Sequence, residues 1–361
     1  MAPGTLRRRA LNRATLDRQL LLRRSPLPIL DAVEHLAGLQ AQTPHSWYHG
    51  LWCRLTTFDP GSLAQLLIDR EVVRMALMRS TIHLVTAADC RWLRPLTQPV
   101  IERTTAGAFG KHLVGIDRDK LVAAGRELLE ERPMIFSELG RALAERWPER
   151  DPASLAQAVR AWVPLVQIPP RGVWGRSGRP IHTTMESWLG SGVDPSPSVD
   201  RLVLRYLAAF GPASVRDAQT WSGLTRLAEV FARLDLVPFR DEAGRELFDL
   251  PDAPRPDPET PAPPRFLYDF DNLLLSHADR SRVVTVAATQ QDYGANIQPS
   301  ILLVDGFTAG EWKLARTRGA ATLTIRPFTL LSKKDASAVG AEGARLLDFA
   351  APGDTHDVAF T

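Results

Sequence analysis

The chain has 361 residues, more than one hydrophobic core usually supports, so the sequence predicts two or more domains. Hydrophobic residues make up 44% of it, an ordinary fraction for a folded protein, which excludes general disorder. The 44 Lys and Arg residues nearly balance 41 Asp and Glu, and the formal charge is only +3. This balance excludes a uniformly basic surface, so any binding of nucleic acid depends on local charge patterns.

The two cysteines, Cys53 and Cys90, are too few for a disulfide framework and stand in no paired metal-ligand pattern. The basic N-terminus is not followed by the apolar core of a signal peptide, and no later apolar run is long enough to span a bilayer. We therefore expect a cytoplasmic protein with two buried, reduced thiols. The sequence indicates no metal, no cofactor, no membrane contact and no obligate protein partner.

The first predicted unit covers residues 1–112 and begins with closely spaced arginines, whose basic face either contacts DNA or is simply solvated. Apolar spacing then predicts three helices followed by a hairpin, at 16–23, 29–37, 59–68, 72–77 and 82–85. Pro28 suits the first turn of the second helix, and Gly38 suits its C-terminal end. Helices followed by a hairpin are typical of a winged helix.

The second predicted unit, residues 113–190, repeats this order, with helices and then extended segments at 117–130, 136–147, 152–163, 165–168 and 181–183. Between the two extended segments lies a glycine-rich tip that carries Arg171, Arg176 and Arg179, with no neighbouring acid to neutralise them. Such a tip suits contact with DNA phosphates, although an exposed wing without a partner would have the same pattern.

The third predicted unit, residues 191–250, shows the order once more, including a helix that Ser214 caps with Asp217 three residues later. The proline-rich segment 251–264 predicts an irregular linker. Residues 265–361 then change character, with extended runs and one final helix at 282–286, 301–304, 321–325 and 334–349. The predicted fold class is α+β, with three tandem winged-helix units followed by a small β-rich C-terminal domain.

Six short segments resemble, in order, a winged-helix DNA-binding family that contains the AlkZ- and YcaQ-type bacterial DNA glycosylases. They are Gly-Leu-Gln-Ala-Gln at 38–42 and the segments 79–85, 205–213, 221–224, 269–277 and 304–307. The resemblance implies three winged-helix units and a small β-barrel-like domain around a cleft for double-stranded DNA. It also implies excision of alkylated purines, which in this family include N7-linked lesions and interstrand crosslinks.

The tripeptide Gln40-Ala41-Gln42 matches the catalytic motif of the AlkZ-like branch, in which a hydrophobic residue separates two glutamines. The resemblance therefore implies that Gln40 and Gln42 are catalytic. Because Gly38 predicts that the preceding helix has ended, the segment is extended and both amides point to one face. A glutamine is no general base, but its carbonyl accepts from water and its NH₂ donates to a sugar or phosphate oxygen. Without the resemblance, two amides capping a helix end would be the ordinary interpretation.

Other candidate residues flank this motif. Arg79, Thr81 and His83 occupy alternate positions of the first hairpin, and the resemblance implies that they face DNA, although His83 also fits a buried histidine. His45 and His49 follow Pro44, which favours a loop, and a lone histidine pair is weak evidence for a metal.

The sequence thus predicts a monofunctional DNA glycosylase that hydrolyses the N-glycosidic bond of alkylated, N7-linked or crosslinked purines. An N7-alkylated purine is already a good leaving group, so positioning and fixed dipoles suffice. The sequence has no lysine near the motif that would suggest a lyase step. The alternative is a non-catalytic winged-helix DNA-binding protein or transcriptional regulator. The two convergent glutamines favour the glycosylase, because a regulator has no need of them. Further along, Asp269, Asp271, His277 and Arg280 suggest a network that orders the C-terminal domain.

Overall fold

The computed structural model describes residues 4–292 and 298–361, and the elements within these ranges form a mixed α+β fold, as predicted. The helices are α1 Arg8–Arg18, α2 Ile29–His35, α3 Ser46–Trp52, α4 Pro60–Ile68, α5 Ala87–Phe109, α6 Arg118–Glu131, α7 Phe136–Arg146, α8 Pro152–Trp162, α9 Met185–Leu189, α10 Val199–Phe210, α11 Val215–Ser222, α12 Ala228–Arg233, α13 Val286–Thr289 and α14 Lys333–Ala350. The strands are β1 Gly4–Leu6, β2 Leu39–Gln40, β3 Val72–Ala76, β4 Ile82–Thr86, β5 Leu165–Gln167, β6 His182–Thr184, β7 Val237–Asp241, β8 Glu246–Asp249, β9 Arg265–Leu267, β10 Ile301–Val304, β11 Phe307–Thr317, β12 Ala320–Pro327 and β13 Thr355–Phe360.

The central sheet joins strands of the first two predicted units. Its order is β2-β4-β3-β5-β6, and every neighbouring pair is antiparallel. The hairpin β3–β4 pairs on one side with β2, where Gln40 lies opposite His83, and on the other side with β5, where Arg74 lies opposite Gln167. The strand that carries Gln40 is therefore the edge of this sheet.

The third predicted unit has the helices and hairpin that its sequence indicates. Ser214 caps α11 with a capping box in which its hydroxyl accepts from the Asp217 N–H at 3.2 Å and the Asp217 carboxylate accepts from the Ser214 N–H at 2.9 Å. Strands β7 and β8 form an antiparallel hairpin, and β1 from the N-terminus adds to it in parallel. The N-terminal residues thus complete a sheet far along the chain.

The C-terminal domain is β-rich, but its predicted barrel-like form is wrong. The five strands described in this domain form an open sheet in the order β13-β12-β11-β10-β9, covered by α14. The predicted strand at 282–286 is also wrong, because these residues form a turn and the start of α13. Val283 packs into a hydrophobic core and does not pair with a strand. A strand at 282–286 that could join the two edges of the sheet, β13 and β9, is therefore missing.

The N-terminal helix lies earlier than its apolar residues predict, at α1 rather than at 16–23. Its buried face is largely polar, because Arg13 and Arg18 point inward and form ion pairs with Asp305 and Asp249. The guanidinium of Arg18 lies 2.7 Å from Asp249. The same arginines donate to carbonyl oxygens of the proline-rich segment, Thr260 at 2.7 Å and Pro254 at 3.1 Å. That segment is irregular, as predicted, but it is bound to α1.

Two helices depart from the predictions. The loop expected after Pro44 is short, because α3 begins at Ser46 and contains His49, while His45 precedes it with a left-handed φ of +70°. The sequence did not indicate α5, a helix of 23 residues that contains Pro95 and Pro99. Internal prolines ordinarily break a helix, which explains why the pattern concealed it.

Four histidines of the described chain, of which His83, His182 and His277 are buried and His49 is half-buried, make the stability dependent on pH. Burial lowers the pKa of His49 to about 4 and those of His83, His182 and His277 to about 3, from an ordinary value of 6.5. Between these values the unfolded chain binds more protons than the folded one, so the free energy of unfolding falls as the pH drops below 6.5. Each histidine contributes at most about 1.4 kcal/mol per pH unit.

Urea denaturation between about pH 7 and pH 5 measures this effect. We expect a progressive loss of stability across that range, and a smaller slope in a His182→Gln variant, which removes one of the four groups. An equal slope in wild type and variant would contradict this assignment.

Candidate active site

The tripeptide Gln40-Ala41-Gln42 is extended, as predicted. The preceding helix ends at His35, and Gly38, with a φ of +82°, turns the chain into β2. A Cβ at Gly38 would lie 2.6 Å from Val85 Cγ1, so this turn requires glycine. The Ala41 N–H continues the pairing by donating to the Ile82 oxygen at 2.7 Å. In extended backbone the two glutamines lie on one face, and Ala41 on the other face is completely buried.

Both glutamine oxygens accept hydrogen bonds that orient the amides. Gln40 Oε1 accepts from Arg79 Nη2 at 2.6 Å, and Gln42 Oε1 accepts from the Ile82 N–H at 3.3 Å. Gln40 is only 3% exposed, whereas Gln42 is exposed. The motif therefore presents one amide at the surface and a second one deeper in the same face.

The side chain of Arg79 is directed inward. It lies in the turn Met78–Ser80 with a left-handed φ of +54°, and its guanidinium donates to the Trp221 oxygen at 2.5 Å as well as to Gln40. This geometry suits Arg79 to hold Gln40 in place. It does not suit Arg79 to the contact with DNA that the sequence predicts. Thr81, which follows, is half-buried, and its hydroxyl donates to the Met78 oxygen at 3.1 Å.

His83 has no exposed surface with which to make the predicted contact with DNA. The side chain is completely buried, and its Nδ1–H donates to the Thr81 oxygen at 3.0 Å. Burial, and then the charge of Arg79, lower its pKa to about 3, so the ring is neutral. The buried alternative fits this geometry.

Several buried polar atoms near Gln40 lack a hydrogen-bond partner among the described residues. They are His83 Nε2, Tyr268 Oη and Asn272 Oδ1. Buried polar groups are nearly always paired, so each of these unpaired atoms indicates a place that binds water or a polar part of a substrate. Sequence reasoning missed Tyr268 and Asn272, although both lie within or beside the segment 269–277.

Four arginines around the motif have no carboxylate partner among residues 4–292 and 298–361. Arg74 donates to the Ala41 oxygen at 2.8 Å, Arg160 donates to the Ser80 oxygen at 2.7 Å, and Arg94 donates to the Ala161 oxygen at 2.9 Å. Burial lowers the pKa of Arg74 to about 9 and those of Arg79 and Arg94 to about 10, which leaves all three charged at neutral pH. An uncompensated positive charge next to the motif attracts a polyanion.

Arg74 was missed by the sequence analysis, although one signal was available. It interrupts the apolar run Val72–Ala76, all of which is buried, so a charge sits where a core residue belongs. Its guanidinium stacks over Trp47 at 4.6 Å, and its Nε and Nη1 have no partner among the described side chains and backbone. A buried charged group without a partner is costly, which points to a functional reason for it.

The basic tip of the second unit is folded against α3. The Tyr48 hydroxyl donates to the Gly172 oxygen at 2.8 Å, and Arg171 donates to the Gly178 oxygen at 3.0 Å. The expectation that its arginines have no acidic neighbour is wrong for Arg179, which lies 3.0 Å from Glu138, a residue distant in sequence. Arg176 is exposed and forms no ion pair with any residue that the structure describes.

A cavity of about 440 Å³ opens beside the motif. It is lined by Pro44, His45, Ser46, His49, Tyr268, Ser300, Trp312, Lys313 and Leu314. His45, His49, Tyr268 and Trp312 make much of this lining aromatic, and Lys313 is its one charged residue among those described. Desolvation lowers the pKa of His45. The described part of the chain contains no cluster of three or more potential metal ligands. No helix in residues 4–292 and 298–361 is long and apolar enough to cross a membrane.

Comparisons with known proteins show which fold and family this chain has. The solved structure of the DNA glycosylase AlkZ from Streptomyces sahachiroi superposes with a TM-score of 0.80, at 20% identity, over 99% of this chain and all of that one. A relative from the same organism, named "Interstrand DNA cross-link repair glycosylase", is 23% identical over 92% of this chain and 93% of its own.

The sequence profile described as "DNA glycosylase AlkZ-like" matches residues 33–349, and the chain belongs to this AlkZ-like family. The resemblance seen in the sequence is therefore confirmed, and so is the class of enzyme, a DNA glycosylase, which hydrolyses N-glycosidic bonds.

Proposed function

We propose that this chain is a monofunctional DNA glycosylase that hydrolyses the N-glycosidic bond of N7-alkylated purines in double-stranded DNA, including purines joined in interstrand crosslinks. The observation that carries the proposal is the extended pair Gln40 and Gln42, oriented through their oxygens beside arginines that have no carboxylate partner in the described part of the chain. The crosslink as substrate is supported by the name of the Streptomyces relative.

In the proposed reaction a water oxygen bonds to C1′ of the deoxyribose, and the bond from C1′ to the purine nitrogen breaks. The bonding pair stays on the purine and neutralises the positive charge that N7 alkylation created, so the base leaves without being protonated. The water gives up one proton, and the products are the free alkylated base and an abasic site. Such a reaction depends on positioning and fixed dipoles more than on a strong base.

The two glutamines supply that positioning at different depths. Gln42 is exposed and donates from its NH₂ to the sugar or phosphate of the damaged nucleotide. Gln40 is nearly buried, so it meets a nucleotide that has moved out of the base stack, or the water that attacks it. Its oxygen keeps a second lone pair beside the one that Arg79 occupies.

The proposal of simple hydrolysis rests on the surroundings of the motif. Lys313 borders the cavity, but it is exposed, whereas lysines that form Schiff bases are activated by desolvation or by a neighbouring cation. We therefore expect no strand cleavage before alkali treatment and no trapping of the enzyme on DNA by borohydride.

DNA binding is assigned to the helical part of the chain. We propose winged-helix units at 1–112, 113–190 and 191–250, a linker at 251–264 and a C-terminal domain at 265–361. Of the basic tip, Arg176 contacts phosphate directly, while Arg171 and Arg179 support the tip through their bonds to Gly178 and Glu138. The surface that binds DNA is then supported from below by the side chains of Arg79, Thr81 and His83.

Arg176→Gln tests the phosphate contact. We expect weaker binding to undamaged duplex DNA and a decrease of about one in the slope of log K against log salt concentration. Arg179→Gln is the matched control, and its effect should be smaller because Glu138 already pairs with that charge. Fluorescence anisotropy across a salt series measures both, and equal slopes for Arg176→Gln and wild type would rule the contact out.

A duplex with one nitrogen-mustard crosslink tests the proposed substrate. We expect the protein to separate the strands on a denaturing gel and to leave an alkali-labile site. A second duplex with one N7-methylguanine is tested beside it. Release of N7-methylguanine from that duplex, without separation of the crosslinked strands in the first, would restrict the substrate to lesions on one strand. Tight binding without any release would contradict the catalytic proposal.

A further inference from the structure

A strained turn next to the motif carries a carboxylate that the two glutamines lack. Residues 268–271 form this turn, in which the Asp271 N–H donates to the Tyr268 oxygen at 3.3 Å and Phe270 has a left-handed φ of +58°. A bulky residue rarely adopts this conformation, and it persists only where the surrounding structure holds it. The turn thus places Asp269 in a defined position.

Both ends of the turn are held by buried contacts. Tyr268 is 2% exposed, and Asp271 is completely buried in a two-bond ion pair with Arg54, at 2.9 and 2.8 Å. The side chains that follow are just as fixed, because Asn272 is 3% exposed. Between these anchors Asp269 remains half-exposed, so it is open to a substrate.

The same turn is attached to both sides of the Gln-Ala-Gln tripeptide. Before the tripeptide, Asn272 Nδ2 donates to the Gly38 oxygen at 2.6 Å. After it, the Thr43 hydroxyl donates to Asp269 Oδ2. Asp269 therefore lies at the end of the tripeptide that carries Gln42, and within the described ranges its Oδ1 accepts no hydrogen bond.

The charge balance of the site gives this carboxylate a chemical task. Glycosidic hydrolysis places positive charge on the sugar, while Arg74, Arg79 and Arg160 already make the surroundings positive. An amide offers a partial charge only, and it does not take up a proton at neutral pH. A carboxylate carries a full negative charge, and it can accept a proton as a general base.

We propose that Asp269 is a catalytic residue. This inference rests on the proposed function. The carboxylate stabilises the positive charge that develops at C1′ and accepts the proton that the attacking water releases as its oxygen bonds to C1′. The bond from C1′ to the purine nitrogen breaks with its electron pair on the base, and Asp269 afterwards returns the proton to solvent.

This role differs measurably from a structural one. A carboxylate that faces DNA repels phosphate, so its removal should leave DNA binding unchanged or tighter while the chemical step slows. Loss of a structural contact would instead weaken binding, lower the melting temperature and slow the reaction together. The separation of rate from affinity therefore decides between the two roles.

The experiment compares full-length wild type with Asp269→Asn, on duplex DNA with one N7-methylguanine, by single-turnover excision, anisotropy and thermal melting. We expect the excision rate of Asp269→Asn to fall by about 100-fold with unchanged or tighter binding. Thr43→Val, which removes only the hydroxyl that holds the carboxylate, should lose less activity. Asp69→Asn removes the same charge from an exposed position after α4 and should keep the wild-type rate.

Two results would overturn the inference. The first is a wild-type rate in Asp269→Asn, which leaves the proposed function intact. The second is a loss of rate accompanied by equal losses of affinity and melting temperature, which assigns Asp269 a structural role. A wild-type protein that excises nothing would instead overturn the proposed function and this inference with it.

Discussion

Replacing either glutamine with alanine is expected to lower the single-turnover rate of N7-methylguanine excision by about 100- to 1,000-fold. This is the usual effect of removing one fixed donor from a site that stabilises developing charge. The two variants should differ in stability. Gln42 is exposed, and among the residues that the structure describes its side chain bonds only the Ile82 N–H, at 3.3 Å, so Gln42→Ala should melt like wild type. Gln40→Ala leaves Arg79 Nη2 without its acceptor, while Nη1 keeps the Trp221 oxygen, and should cost about 1–3 kcal/mol.

Gln40→Glu separates the two roles of Gln40. The carboxylate keeps the size of the side chain and still accepts from Arg79, so the fold should be retained. It has no N–H to donate, so the excision rate should be as low as in Gln40→Ala. A Gln40→Glu variant with wild-type excision would show that the amide is not required, and a Gln42→Ala variant with wild-type excision would remove Gln42 from the mechanism.

Breaking the ion pair between Arg54 and Asp271 is expected to have the largest effect on stability. Asp271 is completely buried, and Arg54 is 1% exposed and also donates to the Gly50 oxygen at 2.9 Å and the Gln19 oxygen at 3.0 Å. Removing one partner leaves the other charge buried and uncompensated, which costs about 3–5 kcal/mol. Urea denaturation of Asp271→Asn and Arg54→Met measures this cost.

The double variant gives the control for this prediction. Arg54→Met together with Asp271→Leu buries two apolar side chains in place of two charges, so it should be more stable than either single variant. Because Asp271 also holds the turn that carries Asp269, the single variants should lose excision activity along with stability. A loss below about 1 kcal/mol in both single variants would mean that the pair is not a structural anchor.

Local signals in the sequence predicted much of the fold. Gly38 predicted that the helix stops before the tripeptide, although α2 ends two residues earlier than predicted, at His35. Ser214 with Asp217 predicted the start of α11. Each signal acts within a few residues, so spacing alone reveals it. The family resemblance supplied the roles of Gln40 and Gln42, for which residue chemistry alone favoured helix caps.

The remaining features depend on contacts between distant residues. Arg54 and Asp271 are 217 positions apart, and Arg18 and Asp249 are 231 apart, so no local pattern connects them. The ion pair of Arg18 buries an arginine on α1, where the spacing of apolar residues does not reveal the buried face. The predicted helix therefore began too late in the sequence. The same holds for Asp269, which the sequence suggested only as part of an ordering network.

The central claim is that this chain releases N7-alkylated purines by hydrolysis through the Gln40-Ala41-Gln42 motif. Its most direct test is to incubate a duplex containing one N7-methylguanine with wild type and with the Gln40→Ala, Gln42→Ala double variant. The products are the free base, measured by mass spectrometry, and the abasic site, revealed by alkali. We predict stoichiometric release by wild type, strand cleavage at the lesion only after alkali, and almost none of either from the double variant. Equal release by the two proteins, or no release by wild type, would contradict the claim.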